Sequence, residues 1–177
     1  MHSQLRGLSF LLVLLASILS TTGSALAQSD SLPQRHSLVI EVAGIGGFWS
    51  LSYEINKVTA NGILSPYVNA GGSVMRIRNY SQDFDPTFSV PLSVGLLLGA
   101  GSNKLDLAFS NTLISEVLAS ESLEIERKWQ VNGAVHIGYR YWVPKRNLFF
   151  KIYYAAVLVD YDRFTNWGGL GFGYTLH

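Results

Sequence analysis

The chain has 177 residues, of which 48% are hydrophobic and only 14% are charged, so it has ample apolar surface to bury and little charge to keep it disordered. Its 13 Lys and Arg against 12 Asp and Glu leave a net charge of +1, without a dense basic stretch, which argues against nucleic-acid binding. The absence of cysteine excludes disulfide scaffolds, Cys-based zinc sites and thiol catalysis.

Residues 1–27 have the organisation of a secretory signal peptide. A single cation, Arg6, precedes an apolar run from Leu8 to Leu19, and a small-residue region ending in Ala27 follows. The alternative, an N-terminal membrane anchor, is disfavoured because the apolar run is too short to cross about 30 Å of hydrocarbon as a helix. We therefore expect a signal peptide at 1–27, cleaved after Ala27, and one mature domain at 28–177.

The remaining chain alternates apolar and polar residues with a period of two, and Gly, Asn and Pro separate the segments. The pattern predicts strands at residues 37–44, 47–56, 62–73, 87–98, 103–112, 128–142, 147–157 and 166–176. Short connections at 57–61, 99–102 and 143–146 alternate with long ones at 74–86 and 113–127. Outer-membrane β-barrels have an even number of strands, short periplasmic turns and longer outer loops.

Two connections leave questions open. The link at 44–47 is short where this scheme expects an outer loop. Residues 114–123 could form a short helix or extend the strands on either side of them.

The two faces of the predicted strands differ in kind. In the fifth strand Leu105, Leu107 and Phe109 share one face, whereas Lys104 and Asp106 share the other. Bulky apolar residues suit lipid, and small or polar residues suit the narrow inside of a small barrel. The sequence therefore predicts an all-β fold, an eight-stranded antiparallel up-and-down transmembrane β-barrel. The alternative is a soluble lipocalin-like barrel or sandwich, in which the same faces would be reversed.

Four segments, at residues 36–54, 90–106, 138–141 and 167–174, resemble small outer-membrane β-barrel proteins of the Bacteroidetes type. The resemblance implies a barrel that the barrel-assembly machinery inserts into the outer membrane, and it brings no catalytic residues. Substrates of that machinery usually end on an aromatic residue. This chain ends on Leu176 and His177, so we expect Leu176 to occupy the aromatic position.

Three acids and three bases share the predicted inner face. They are Glu41, Glu54, Lys104, Asp106, Arg140 and Lys151. Charges in a narrow lumen of low dielectric must pair, because an unpaired buried charge costs several kcal/mol. We interpret them as a structural ion-pair cluster that plugs the lumen. The alternative is a gate that opens a narrow channel.

No catalytic or metal-binding arrangement is expected. A lipid-modifying barrel enzyme of the esterase kind would need a Ser, a His and an acidic or amide partner at one height on one face. His136 faces the predicted lumen, and no His shares the outer face with a Ser and an acid. The histidines are isolated in the sequence, which disfavours a metal site. The prediction is that the protein is not an enzyme and binds no cofactor.

The predicted outer loops carry the candidate contacts with other molecules. Arg76, Arg78, Tyr80 and Phe84 combine cations with aromatic rings, which suits lipopolysaccharide phosphates or a partner protein. The alternative is an ordinary solvated loop. We therefore expect a monomeric outer-membrane protein in contact with lipid and lipopolysaccharide, with a structural or surface-interaction role. A loop-mediated adhesin or receptor, acting through 74–86 and 113–127, is the first alternative.

Overall fold

The structure, a computed structural model, describes residues 34–59, 62–78, 84–119, 125–159 and 163–176. The strands are β1 (Gln34–Gly44), β2 (Gly47–Lys57), β3 (Leu64–Arg78), β4 (Phe84–Leu98), β5 (Asn103–Ala119), β6 (Ile125–Trp142), β7 (Leu148–Val159) and β8 (Arg163–Leu176). Each strand pairs antiparallel with the next, and β8 pairs with β1, so the sheet closes on itself. The predicted eight-stranded antiparallel up-and-down barrel is confirmed. The predicted signal peptide at 1–27 lies outside the described residues.

All eight predicted strands are present, but the two long connections were predicted too long. β3 continues to Arg78 and β4 begins at Phe84, while β5 continues to Ala119 and β6 begins at Ile125. The β5–β6 ladder runs without interruption from Asn103↔Tyr141 to Ala119↔Ile125, because the extra residues continue the cross-strand hydrogen bonds instead of leaving the sheet. Of the two alternatives for 114–123, strand extension is correct as far as residue 119.

These extensions make the two ends of the barrel unequal. The pairing of β2 with β3 stops at Leu51↔Gly72, so the outer part of the β3–β4 hairpin runs past the end of the β2–β3 ladder. The β5–β6 hairpin likewise continues beyond the last β6–β7 pair, Gly133↔Leu158. We call this the loop end of the barrel, and the end formed by the β2–β3, β4–β5 and β6–β7 connections the turn end. No helix among the described residues is long and apolar enough to cross a membrane.

The barrel wall presents its large apolar side chains outward. In β8 Leu170 and Phe172 are exposed, whereas Gly171 and Gly173 between and beside them are buried. The other strands follow the same rule over most of their length, with Ser and Thr making up most of the buried polar set. The predicted assignment of the two faces is confirmed. A soluble barrel would have the opposite arrangement.

Glycines on β8 give the interior room for bulky side chains from β7. Phe149 pairs with Gly173, and Tyr153 pairs with Gly169. A Cβ atom on Gly173 would lie 2.1 Å from the Phe149 ring, and one on Gly169 would lie 2.3 Å from the Tyr153 ring. The rings therefore lie flat against the glycine backbone. This packing of aromatic rings over cross-strand glycines fills the space on this side of the lumen.

Candidate functional site

The centre of the lumen is organised around Arg140. Its side chain, on β6, is fully buried. Nη1 donates to Glu54 Oε1 at 2.5 Å and Nη2 to Glu54 Oε2 at 3.1 Å, which is bidentate pairing. Nε and Nη2 also donate to Asp106 Oδ2 at 3.2 and 2.8 Å. Since Glu54 lies on β2, which is four strands from β6 in either direction around the barrel, this ion pair crosses the lumen.

Aromatic rings enclose the same guanidinium. The Cζ atom of Arg140 lies 4.9 Å from the ring centroid of Tyr67, 5.3 Å from that of Trp142 and 4.7 Å from that of Phe149. Stacking of this kind is favourable for a desolvated cation. Tyr67 also donates its hydroxyl to Asp106 Oδ1 at 2.7 Å. The central cluster, defined as Glu54, Tyr67, Asp106, Arg140, Trp142 and Phe149, therefore combines ion pairs with close packing.

His136 packs against the edge of this cluster. Its Nε2 atom lies 3.3 Å from the Tyr67 hydroxyl and 3.7 Å from Asp106 Oδ1, and its ring centroid is 4.7 Å from that of Tyr153. The side chain is almost completely buried. The imidazole has no access for a substrate and is not placed beside a serine hydroxyl in any described hydrogen bond. No three His, Asp or Glu side chains form a metal-binding group within the described ranges.

A second ion pair lies nearer the loop end. Lys151 of β7 pairs with Glu41 Oε1 of β1. Tyr153 donates its hydroxyl to the other oxygen of Glu41 at 2.8 Å, and the same hydroxyl accepts the Ile45 backbone N–H at 2.9 Å. The ion pair is thereby connected to the β1–β2 turn.

That turn, Ile45 and Gly46, is folded over the lumen. The Thr112 hydroxyl of β5 donates to the Ile45 carbonyl at 3.0 Å, and the Ser89 hydroxyl of β4 donates to the Gly46 carbonyl at 2.6 Å. With Tyr153, side chains from three strands therefore bind the turn. The short link at 44–47 therefore lies across the barrel mouth and does not stand clear of it as an outer loop.

Glycine is required in this turn by the closeness of its neighbours. A Cβ atom on Gly44 would lie 2.5 Å from Glu41 Oε2 and 2.6 Å from the Tyr153 hydroxyl. One on Gly46 would lie 2.7 Å from Ser50 Cβ. The sequence Gly44-Ile45-Gly46-Gly47 thus permits an approach to the lumen wall that a larger residue would prevent.

The structure separates Lys104 from the other five charges predicted on the inner face. Its Nζ atom donates to the Gly62 carbonyl at 2.9 Å and to the Gly99 carbonyl at 2.7 Å, at the turn end. Among the described residues no carboxylate pairs with it within 4.0 Å. Among the described residues Lys104 therefore lies apart from the two ion-pair groups, and the backbone carbonyls of two turns provide its acceptors. The other five, Glu41, Glu54, Asp106, Arg140 and Lys151, form the two groups described above.

The predicted loop contacts are only partly located. Arg76 and Arg78 belong to the outer part of β3, in register with Thr87 and Phe84 of β4 across an irregular ladder. They therefore lie on strands and not on a free loop. Tyr80 lies outside the described residues.

Sequence reasoning missed Arg127, which spans three strands at the loop end. Its Nη1 atom donates to the Ser115 hydroxyl of β5 at 2.6 Å and to the Pro86 carbonyl of β4 at 3.1 Å, and Nη2 pairs with Asp85. The sequence-based prediction of a loop at 113–127 does not contain this cross-strand arrangement. Residues 113–118 are Leu-Ile-Ser-Glu-Val-Leu, in which apolar and polar residues come in pairs, so the period of two gives no signal for the strand there.

Sequence reasoning also missed the lumen tyrosines. Tyr153 lies two residues after Lys151 on the same face of β7, so the period of two already places it inside. Tyr67 could have been recognised in the same way from Asn69 and Ser65.

The chain matches no protein-family model and no curated protein sequence. It is similar in structure to the N-terminal β-barrel domain of Pseudomonas aeruginosa OprF, with a TM-score of 0.52 and 10% sequence identity over 81% of this chain and 96% of that one. It is equally similar to the Yersinia pestis outer membrane protein Ail, with a TM-score of 0.52 and 11% identity over 81% of this chain and 98% of that one. At these identities the likeness establishes the fold, an eight-stranded barrel of the kind found in outer-membrane proteins.

Proposed function

We propose that the protein is an exported outer-membrane β-barrel with a structural or surface-interaction role, a plugged lumen and no catalytic activity. The observation that carries the proposal is the distribution of its side chains, with large apolar residues on the outer wall and a paired, buried charge cluster inside. Only a hydrocarbon environment makes such an outer wall favourable over most of its area. The structural similarity to two outer-membrane barrels supports the same location.

Aromatic residues near both ends of the wall support a membrane position. Trp49, Trp129 and Trp167 are exposed towards the loop end, and Tyr53 and Tyr174 towards the turn end. The Tyr53 hydroxyl lies 2.7 Å from His36 Nδ1, so its polar atom is satisfied at the rim while its ring faces the wall. Amphipathic rings of this kind favour the two interfaces of a bilayer.

The unequal ends suggest an orientation. Outer-membrane barrels have short periplasmic turns and larger structures outside the cell. By this rule the turn end faces the periplasm, and the β3–β4 and β5–β6 hairpins project outward. The barrel-assembly machinery would insert the chain from the periplasmic side, with Leu176 in the usual aromatic position near the end of β8.

Two layers support the proposal of a plugged lumen. The central cluster connects β2, β5 and β6 across the interior, and the Ile45–Gly46 turn crosses the mouth at the loop end. A narrow eight-stranded barrel leaves little room for water beside such side chains. The gate interpretation would need the central cluster to separate, and removing one partner of a buried pair is costly.

The proposal is tested first by heat modifiability. A detergent-extracted outer-membrane fraction is run on a denaturing gel, boiled and unboiled, and a folded barrel should migrate as a compact band until it is heated. Planar-bilayer recordings of the purified protein should then show no stable conductance. Recovery of the mature chain from the soluble periplasm without a gel shift, or a steady open channel, would refute the corresponding part of the proposal.

The projecting hairpins favour a loop-mediated adhesin or receptor as the second candidate. Arg127 connects β4, β5 and β6 outside the apolar wall, so it holds the two hairpins together as one surface. A fixed surface is suited to binding because less ordering is needed on contact. Shortening residues 79–83 and 120–124 should abolish cell or matrix adhesion while the heat shift persists. Unchanged adhesion in such variants would exclude this candidate.

Contacts with lipopolysaccharide and a monomeric state belong to the same proposal. Native mass spectrometry of the purified barrel should give the mass of one chain, and mass spectra of lipid A from cells with and without the protein should be identical if it performs no lipid chemistry. A new lipid A species dependent on the protein would indicate an enzyme.

A further inference from the structure

The turn end of the barrel carries cations without acids. Lys145 and Arg146 are exposed in the β6–β7 turn, Arg35 is exposed at the start of β1, and Lys57 is half-buried at the end of β2. No Asp or Glu occurs among the described residues of this end, which are 34–36, 57–59, 62–64, 99–104, 142–148 and 174–176. The loop end differs, since it carries charges of both signs. The turn end therefore presents a positive surface.

These cations lie along one half of the rim. The Thr175 N–H of β8 donates to the Asn147 carbonyl at 2.7 Å, so the β6–β7 turn adjoins the end of β8. Thr175 in turn pairs with Ser37 of β1, two residues from Arg35. The turn cations thus adjoin the end of β8 and the start of β1, whereas Arg35 has the inward alternation of Ser37, Val39 and Glu41.

An open apolar groove of ≈490 Å³ runs along the outer wall of the same four strands. Aromatic and aliphatic side chains line it, including Tyr139, Tyr141, Phe150, Ile152, Leu170 and Phe172. The rings of Phe150 and Phe172 form a contact in its wall, with centroids 5.3 Å apart. Tyr141 lies one residue before the end of β6, and Phe150 lies two residues after the start of β7, so the groove begins next to the turn that carries Lys145 and Arg146.

We propose that the rim and the groove together bind one anionic phospholipid of the membrane leaflet next to the turn end. The phosphate lies against Lys145 and Arg146, and an acyl chain lies in the groove below them. The inference rests on the proposed membrane address and on the orientation with the turn end in the periplasm. A free anion would use the cations alone and leave the apolar groove uncovered.

A second groove provides an internal comparison. It lies on the outer wall of β4, β5, β6 and β7, where Val94, Leu107 and Val135 contribute to its lining. The β4–β5 turn at its end, residues 99–102, contains no charged residue. Of these two grooves, the one over β6, β7, β8 and β1 adjoins accessible cations among the described residues. Charge complementarity selects that groove for an anionic headgroup.

The test measures which lipids the folded barrel retains. The mature chain is reconstituted into nanodiscs of phosphatidylethanolamine with a minor fraction of phosphatidylglycerol, and the lipids that stay bound on release are identified by native mass spectrometry. We expect the wild-type barrel to retain phosphatidylglycerol well above its bulk fraction. The variant Lys145→Gln/Arg146→Gln should weaken this preference about 30-fold, since each cation near an anionic surface contributes about a factor of five.

Two further variants make the result specific. Lys128→Gln/Arg163→Gln removes two exposed cations at the loop end and should leave the preference unchanged. Leu170→Trp should obstruct the groove and reduce retention of both lipids without changing any charge. Retention in bulk proportions by the wild type, or an equal loss in the two charge variants, would overturn the lipid site.

The outcome also separates the two proposals. A chain that shows the heat shift and enters the nanodiscs, yet has no lipid preference, refutes the lipid site alone. A chain that stays soluble and never enters the bilayer refutes the membrane address and the lipid site together.

Discussion

Replacing Arg140 by alanine should destabilise the barrel without opening it. The substitution removes the partner of two buried carboxylates, Glu54 and Asp106, whose exposed fractions are 1% each. Four hydrogen bonds are lost from one guanidinium. Leaving one side of a buried ion pair without its partner costs about 3–5 kcal/mol. Because two carboxylates are left facing each other, we expect the upper part of that range.

The assay is urea unfolding of the reconstituted barrel, followed by the fraction of compact band on an unboiled gel. Lys104→Met is the matched control, since it removes a buried cation that donates to two turn carbonyls instead of pairing with carboxylates. Its loss should cost about 1–3 kcal/mol. An Arg140→Ala variant no less stable than Lys104→Met would show that the central cluster contributes little.

Ion conductance is an independent measurement on the Arg140→Ala variant. The Ile45–Gly46 turn is bound by Ser89, Thr112 and Tyr153, none of which depends on Arg140 for its bond to the turn. The mouth should therefore remain covered, and Arg140→Ala should conduct no better than the wild type in a planar bilayer. A large, stable conductance would mean that the central cluster is a gate.

Three other substitutions examine separate parts of the barrel. Gly173→Ala places a methyl group where the Phe149 ring lies, 2.1 Å from the added Cβ, so it should destabilise the barrel by about 1–3 kcal/mol on urea unfolding. Phe149→Leu in the same chain should restore most of the lost stability. Tyr153→Phe leaves the Ile45 N–H and a Glu41 oxygen without their partner, so it should cost about 1–3 kcal/mol and speed hydrogen exchange at Ile45. Exchange at Ile45 as slow as in the wild type would show that Tyr153 does not hold the turn. Arg127→Ala breaks a partly exposed pair, so it should change the free energy of unfolding by less than about 1 kcal/mol while increasing proteolysis near 79–83 and 120–124. Protease resistance equal to the wild type would show that the projecting hairpins do not need this side chain.

The architecture could be predicted from the sequence because the period of two is strong and consistent. A strand that alternates Leu, Val or aromatic residues with Ser, Gly or charged residues has two distinct faces. The face with the small residues is the one predicted to point into the lumen. The same alternation predicts that Glu54, Asp106 and Arg140 point into the lumen. Lys104 also lies on the inner face, but it is at the end of its strand, where it donates hydrogen bonds to the carbonyls of two turns. The alternation predicts which face a residue lies on, but it does not predict which residue it pairs with.

Which residues meet across the lumen depends on the geometry of the whole barrel and cannot be seen in the sequence of one strand. The pairing of Arg140 with Glu54 requires the tilt and stagger of all eight strands, since β2 and β6 lie on opposite walls. The inward fold of the β1–β2 turn depends likewise on Thr112 and Ser89, which are remote in sequence. A run such as Gly44-Ile45-Gly46-Gly47 indicates a close backbone approach but does not identify what is approached. Strand ends are equally hard to locate, because the period of two becomes irregular beyond the apolar wall, where the strands continue into the hairpins.

The charged cluster raises the question of why the interior is not simply apolar. Shifting a strand by two residues keeps every side chain on its face, so the alternation of apolar and small residues cannot by itself select one register. A shift of β6 by two residues would move Arg140 away from Glu54 and Asp106 and leave all three unpaired. We therefore expect Arg140→Met/Glu54→Gln/Asp106→Asn to lose little stability, since a buried ion pair adds little over neutral packing. The same variant should refold into several barrel species, seen as multiple sets of amide resonances in detergent. One sharp set of resonances with the wild-type refolding yield would show instead that the glycine–aromatic pairs of β7 and β8 fix the register.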